Sequence, residues 1–448
     1  MIKVAKFGGT SMADVVAMRR CASIIASDRD KRVIVVSATS GTTNLLTELI
    51  QSGDPYTREE LLKQIREKHE GIVGQLRKPD SVCPAVDALL KELTSLSESA
   101  GERSLDIADQ ILSTGERLSS TIFTEVLREE GLEAEFFDAR EVMITDDQFG
   151  QAEPDLKELR RRSEEKLIPG LRDKRYVTQG FIGSTVSGRT TTLGRGGSDY
   201  SAALIAESID ADVLEIWTDV TAVYTTDPRM VPDARPITEV TFSEAAELSV
   251  FGAKVLHPAT LKPAIRKNIR VYVGSSIQPE QPGTWIVKET REYPVIRAIS
   301  LRRNQTLVTV HSLEMLHRHG FLAKLFQILA DFKVSVDLVT TSEVSVSLTL
   351  DTNVQGKNRR SLSPELLDEL QKIADVTIEK DLSLIALVGN KLDATAGISG
   401  PIFGALHDVN IRMICHGASS HNLCFLVREE DAEQVVQKLH DTFISVSV

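Results

Sequence analysis

The chain opens MIKVAKFGGTSMADVVAMRRCASIIASDRDKRVIVVS (1–37), and the architecture is decided in this stretch. Ile2–Phe7 and Arg32–Ser37 are continuous runs of apolar and β-branched residues, the pattern of strands buried on both faces of a parallel sheet. Between them, Ala13–Ser27 carries apolar residues at helical spacing, with Asp14 near its start. Strand, glycine turn, helix and strand make the repeating unit of an α/β sheet. The turn is Lys6-Phe7-Gly8-Gly9-Thr10-Ser11. Its glycines let a backbone approach a phosphate, the helix start offers free N–H groups, and Lys6 adds a point charge. The same glycines would also suit plain strand–helix packing. Neither G-x-G-x-x-G nor G-x-x-x-x-G-K-[ST] is present, which weighs against dinucleotide and Walker-type sites.

Working outward, the alternation continues to about residue 290. Leu118–Glu129, Ser198–Ser208 and Ser243–Phe251 read as helices, and Tyr176–Ile182 and Val213–Thr218 as strands. The expectation is a three-layer α/β/α domain over 1–290. Residues 55–110 are polar, charged and helical, and read as an insertion or lid. Beyond residue 300 the pattern repeats: Gly320/Gly397, Phe326/Phe403, Leu329/Leu406, Val334/Ile411 and Ser342/Ser419 all stand 77 positions apart. Each copy reads as a ferredoxin-like β-α-β-β-α-β unit, one over 300–380 and one over 381–448, which are free to interleave. Units this small fit a paired ligand-sensing or dimerising module.

A chain of 448 residues exceeds what one core usually supports. Its 52 basic and 64 acidic residues give a net charge of −12, which disfavours nonspecific binding to nucleic acid or membranes. Cys21, Cys83, Cys415 and Cys424 have no paired metal spacing and read as reduced thiols. No apolar run reaches the roughly 18 residues of a membrane span, and the N-terminus does not read as a signal peptide. The expected location is the cytoplasm.

Three further segments carry candidate chemistry. TTTLGRGGSD (190–199) again joins glycines, a cation (Arg195) and a helix start, with Asp199 as an expected helix cap. Trp217–Arg229 leaves a strand and presents Tyr224 and Arg229, suited to a purine and its phosphates, although Asp227-Pro228 is also an ordinary turn signal. FGAKVLHP (251–258) places Lys254 beside a glycine, a weak signal alone. Together the segments indicate a protein that binds phosphates at two glycine-rich helix starts.

KFGGTS (6–11), SATSGTTNLL (37–46), GRGGSDYSAA (194–203), WTDVTAVYTTDPR (217–229) and FGAKVLHPAT (251–260), in this order, resemble the aspartokinases of the amino-acid kinase superfamily. The repeat resembles a tandem pair of ACT domains. The resemblance implies phosphorylation of the L-aspartate side chain by ATP, the first step towards lysine, threonine and methionine. It implies that Lys6, Gly8, Gly9, Thr10 and Ser11 face the ATP phosphates, and that Thr218, Asp219, Tyr224, Arg229, Lys254 and Val255 complete the nucleotide site. Thr43, Glu116, Arg195, Gly196, Gly197 and Ser198 would hold aspartate, Arg195 taking its α-carboxylate and Glu116 its α-ammonium. Lys6 and Lys254 would stabilise the transferring charge, with Asp199 orienting the lysines. Mg²⁺ would arrive on the phosphates, with no dedicated protein metal cage.

The first repeat resembles the lysine-sensitive subgroup, which implies an L-lysine site at Met315, Arg318, Phe321, Leu322, Ser335, Val336, Asp337, Ser342 and Glu343. Arg318 departs from that subgroup, where a small polar residue can stand. ACT units usually pair, so a homodimer or dimer of dimers is expected. The alternatives are another carboxylate kinase of the superfamily and a catalytically silent amino-acid sensor.

Overall fold

The computed structural model describes residues 1–98, 104–194, 196–252, 256, 258–316, 319–351 and 362–445. They fall into two units. The first comprises Met1–Val223, Pro236–Phe242 and Lys254–Thr290; the second comprises Tyr224–Arg235, Ser243–Ala253 and Arg291–Val448.

In the first unit, β1 (Lys3–Phe7), α1 (Val15–Ala26) and β2 (Lys31–Val36) follow the expected order. Asp14 caps α1, accepting the Ala17 N–H at 2.8 Å. There follow α2 (Thr42–Gln51), α3 (Pro55–Val73), α4 (Cys83–Glu98), α5 (Leu105–Glu129), β3 (Ala134–Phe136), β4 (Ile144–Thr145) and α6 (Leu156–Lys166). After these come β5 (Arg175–Gln179), β6 (Ile182–Thr185), β7 (Thr190–Thr192), α7 (Gly197–Ser208), β8 (Val213–Thr218) and β9 (Glu239–Thr241). Helix α8 (Phe242–Val250) passes into the second unit, while α9 (Pro258–Lys267), β10 (Arg270–Ser275) and β11 (Thr284–Val287) return to the first.

The main sheet has the order β3-β5-β2-β1-β8-β10-β11-β9, parallel throughout except for the β10–β11 pair. Strand β1 pairs with β2 on one side and β8 on the other, so the chain winds away from it in both directions. Such a reversal leaves a crevice at the carboxyl ends of the strands. The expected strand 176–182 is broken: β5 ends at Gln179, and Phe181 takes the left-handed φ of 68° before β6 begins. Strands β4, β6 and β7 form a separate small sheet.

Helices α3 and α4, read from sequence as an insertion or lid, bury Leu61, Ile65, Ile72, Val86, Leu90 and Leu93 in the same core as Phe7, Ile34 and Phe123. Burial of this kind contributes about 1.5–3 kcal/mol per large side chain, so the segment is built into the domain rather than standing apart as a flap.

The second unit continues with β12 (Ala298–His311), α10 (Phe321–Asp331), β13 (Val336–Thr341), β14 (Ser345–Asp351), α11 (Pro364–Gln371), β15 (Asp375–Val388), α12 (Ser399–Gly404), β16 (Met413–His416), β17 (Asn422–Arg428) and α13 (Ala432–His440). One antiparallel sheet, β13-β14-β12-β15-β17-β16, carries both repeats. Its two central strands are shared. Residues 298–302 of β12 pair with 384–388 of β15, and 305–311 with 375–382, across an irregularity near Arg302–Gln305. Ile299 packs in one core with Ile385 and Phe425, whereas Val308 and Val310 pack in another with Leu325 and Leu348.

The second unit also takes two pieces from within 1–290, which therefore does not pack as a single body. Thr225 Oγ1 lies 2.9 Å from Nε2 of the buried His440. Glu244 pairs with Arg297 at 2.5 Å, and Glu247 accepts from Ser419 (2.6 Å) and Asn422 (2.7 Å). Among the described residues no helix is long and apolar enough to cross a membrane.

Candidate active site

A cleft of ≈ 560 Å³ lies in the first unit, at the crevice that the sheet order creates. Three strand ends supply its floor: Lys6 in β1 with Gly8, Gly9 and Thr10 after it, Ser37–Gly41 after β2, and Thr218 at the end of β8 with Asp219. Thr43 and Asn44 line it from the start of α2, Glu116 from α5, and Phe181, Gly194 and Gly196–Asp199 from the approach to α7. The two glycine-rich helix starts singled out in the sequence thus meet in one place.

Lys6 Nζ and Asp199 Oδ1 are 2.6 Å apart, joining the first glycine turn to the second. Asp199 is not the expected cap. Gly196 holds that position with φ 68°, and Asp199 sits in the first turn of α7 with its carboxylate on Lys6.

Glu116 is 4% exposed. Its Oε1 accepts the Ala38 N–H at 3.2 Å, while the buried Oε2 has no partner among the described residues. Burial raises its pKa from 4.5 to about 7, against the pull of the Ala38 N–H and the Lys6 charge. Its neighbour Gly115 permits this approach, because a Cβ there would lie 2.9 Å from Ala38 Cβ.

The loop between β2 and α2 is braced from α3. His69 is fully buried; its Nδ1 lies 2.7 Å from the Ile65 carbonyl, so it carries the proton, and Nε2 accepts from Thr39 Oγ1 at 3.2 Å. Thr39 Oγ1 is 2.5 Å from Thr42 Oγ1. Burial lowers the His69 pKa to about 4. Lys68 donates to the Ser40 carbonyl, and burial lowers its pKa.

On the opposite wall, Ser201 Oγ accepts the Phe181 N–H at 2.8 Å and donates to the Gly197 carbonyl at 2.6 Å. This holds Phe181 in its left-handed conformation, a strain of order 1–3 kcal/mol, against a Gly197 whose Cβ would fall 2.4 Å from the ring.

Of the sequence-predicted residues, Lys6, Gly8, Gly9, Thr10, Thr43, Glu116, Gly196, Gly197, Ser198, Asp199, Thr218 and Asp219 line the cleft. Ser11 does not: it is buried, with Oγ 2.7 Å from Ser276 Oγ. Tyr224 and Arg229 belong to the second unit, where Arg229 is exposed and pairs with Asp227 at 2.6 Å. Arg195, Lys254 and Val255 lie outside the described residues, as does Arg318.

The described residues among the expected effector set are spread along the first repeat, with Ser335 and Val336 at the start of β13 and Ser342 and Glu343 past its far end. Met315 closes a 3₁₀ turn, Phe321 and Leu322 open α10 after Gly320 (φ 87°), and Ser335 to Asp337 lead into β13. Met315, Phe321 and Val336 are partly committed to the repeat's own core. Asp337 pairs with Arg302 at 3.0 Å, and Ser342 Oγ accepts the Ser345 N–H beside Glu343.

Sequence reading missed Phe181, His69 and the structural part of α3. A φ reversal at an aromatic residue leaves no compositional trace, whereas the buried positions of α3 do show helical spacing under a polar average.

The Amino acid kinase family model matches residues 1–275, and an ACT domain model matches residues 385–443. Over 441 residues the chain is 52% identical to the lysine-sensitive aspartokinase 3 of Escherichia coli K12, covering 98% of both chains. Its structure is similar to that of E. coli aspartokinase III in complex with aspartate and ADP (R-state), with TM-score 0.88 over 99% of each chain and 52% identity. The same enzyme in complex with lysine and aspartate (T-state) also gives TM-score 0.88, at 52% identity and 99% coverage of each chain.

Proposed function

Since the chain belongs to the aspartokinases of the amino acid kinase family, we infer that its cleft transfers the γ-phosphoryl group of MgATP to the side-chain carboxylate of L-aspartate, giving 4-phospho-L-aspartate. The observation that carries the mechanism is the Lys6–Asp199 pair at the junction of the two glycine turns. The acceptor has an ordinary pKa near 3.9 and is already an anion at neutral pH. An oxygen of that carboxylate attacks the γ-phosphorus as the bond to the β–γ bridging oxygen breaks, with no proton to remove. The site's task is to hold two anions together. Lys6 meets the phosphoryl oxygens, and Asp199 steers the lysine instead of acting as a base. The N–H groups of Gly9 and Thr10 and of the α7 start add donors at the same place.

Glu116 receives the α-ammonium. Its unpartnered Oε2 in the lining is a buried acceptor that a cation would satisfy, and pairing would restore the ionised carboxylate that burial disfavours. Arg195 takes the α-carboxylate, with Thr43 and Ser198 beside it. Lys254 assists Lys6, while Thr218, Asp219 and Val255 complete the nucleotide side. Mg²⁺ enters with the nucleotide as part of the substrate.

The tandem ACT region senses L-lysine. Asp337 and Glu343 meet its ammonium groups, and the Gly320 turn meets its carboxylate. Two copies pair through this region, which exposes Leu322, Phe326 and Val339. The expected setting is the cytoplasm.

Lys6→Ala tests the assignment by initial rates with MgATP and L-aspartate. A fall in kcat of about 10²–10³ with a smaller change in KM for ATP is expected. An undiminished kcat would remove Lys6 from the mechanism.

A further inference from the structure

Asp109 is a buried carboxylate that the transfer reaction does not use. It stands on α5 seven residues before Glu116, just under two turns, so the two acids project from the same side of one helix. Glu116 faces the cleft; Asp109, 1% exposed, faces the strand that leads into the second glycine turn. Its Oδ2 accepts the N–H groups of Thr192 (2.9 Å) and Gly150 (2.9 Å), and its Oδ1 accepts the Thr192 hydroxyl at 2.7 Å. All three donors are uncharged.

Thr192 is the last residue of β7, two positions before Gly194 and the turn that opens α7. Its carbonyl accepts the Ala152 N–H at 2.9 Å, and the next residue, Leu193, donates to the Phe181 carbonyl at 2.9 Å. Gly194, at φ 74°, passes the neighbouring loop in ordinary contact: a Cβ there would lie 3.4 Å from the Gly150 carbonyl. Asp109 therefore ties together the strand end and the loop it crosses, at the point where the chain enters the cleft.

We propose that Asp109 is a positioning residue for the amino-acid half of the reaction. Helix α5 offers Glu116 to the substrate's ammonium and, through Asp109, anchors the strand end that delivers Gly194 and Gly196–Asp199 to the side that takes its α-carboxylate. One rigid helix sets the distance between the two groups that recognise a 2-amino dicarboxylic acid. The nucleotide side of the cleft is built on β1 and β8 and touches the anchored segment through the Lys6–Asp199 pair, so it should respond less than the aspartate side. The proposal rests on the aspartate kinase reading above.

Two variants test it, each assayed as the full chain with both substrates varied and with its melting temperature recorded. Asp109→Asn keeps the volume but turns an amide N–H₂ toward groups that are themselves donors. Thr192→Val removes one of the three bonds and keeps the backbone pair. The expected result for Asp109→Asn is a rise of about tenfold or more in KM for L-aspartate, with KM for ATP within about twofold, since a displacement near 1 Å costs up to about 100-fold. Thr192→Val should shift KM for aspartate in the same direction by less. A purely structural anchor would lower the melting temperature and the active fraction and leave both KM values unchanged. That outcome, or a parallel rise in both KM values, overturns the proposal. Should Asp109→Asn fail to fold, Thr192→Val decides alone. Wild-type enzyme that turns over ATP without L-aspartate as acceptor overturns the underlying reading; active wild type with unaltered variants overturns only the role of Asp109.

Discussion

Glu116 shows how little of a site's electrostatics is visible in residue identity. In the run STGERLSS it reads as a helical surface acid; the structure buries it, leaves Oε2 without a partner among the described residues, and raises its pKa to about 7. A raised carboxyl pKa means that the folded apo protein holds the proton more tightly than the unfolded chain does. Its stabilising contribution is full below the unfolded value of 4.5 and fades as pH rises through about 7. On the proposed role of Glu116, binding of the substrate's ammonium needs the ionised form. KM for aspartate should therefore rise by up to about tenfold per pH unit below pH 7, while KM for ATP stays flat. Initial rates from pH 8 to 6 check this, and Glu116→Gln should abolish the pH dependence and weaken aspartate binding at every pH. The glycine turns were legible because their chemistry is backbone chemistry, which glycine announces. Burial of an acid and reversal of φ at Phe181 are set by distant packing and leave no local mark.

At the scale of elements, the average composition of α3 hides its buried face. Its polar residues suggested a lid, yet Leu61, Ile65, His69 and Ile72 recur at helical spacing and are buried. His69 links that buried face to the loop after β2, so any motion of α3 would carry part of the cleft wall with it. Here the pH effect has the opposite sign to that of Glu116. The folded pKa is lowered from 6.5 to about 4, so the unfolded chain takes up the proton first, and stability falls as pH drops through that window. The loss is about 2 kcal/mol at pH 5. His69→Gln keeps an acceptor for Thr39 and cannot ionise. Its melting temperature should fall less between pH 6.5 and 5 than that of the wild type; equal slopes would show that His69 does not drive the acid response. Glu116→Gln should steepen the same slope, which separates the two groups.

Across the whole molecule, the order of motifs and the 77-residue offset were enough to anticipate a kinase fold followed by a sensing pair, because both are properties of chain order. What chain order concealed was the traffic between segments. Residues 224–235 and 243–253 pack with the repeats, held by Thr225–His440, Glu244–Arg297 and Glu247–Ser419. Long-range hydrogen bonds of this kind have no signature in either partner alone. Feedback belongs to this scale. L-lysine should inhibit the enzyme and release heat in a titration where L-threonine and L-methionine do not. Asp337→Asn should raise the half-inhibitory lysine concentration by about tenfold or more, the worth of one hydrogen bond to a charged group, without changing uninhibited turnover. Asp337 is already paired with Arg302, so on the proposed assignment lysine would compete for that carboxylate.

The two 14-residue strands at the centre of the second sheet have a historical consequence. Each half of β12 and of β15 serves a different hydrophobic core, so neither repeat owns a complete set of strands. A fragment beginning at Asp375 would lack residues 298–302, which its own core requires, and a chain stopped at Asp351 would leave β12 without β15. Whatever event doubled this segment cannot now be undone by deleting one copy. The duplicate has become indispensable to the original, and the pair is inherited as one piece.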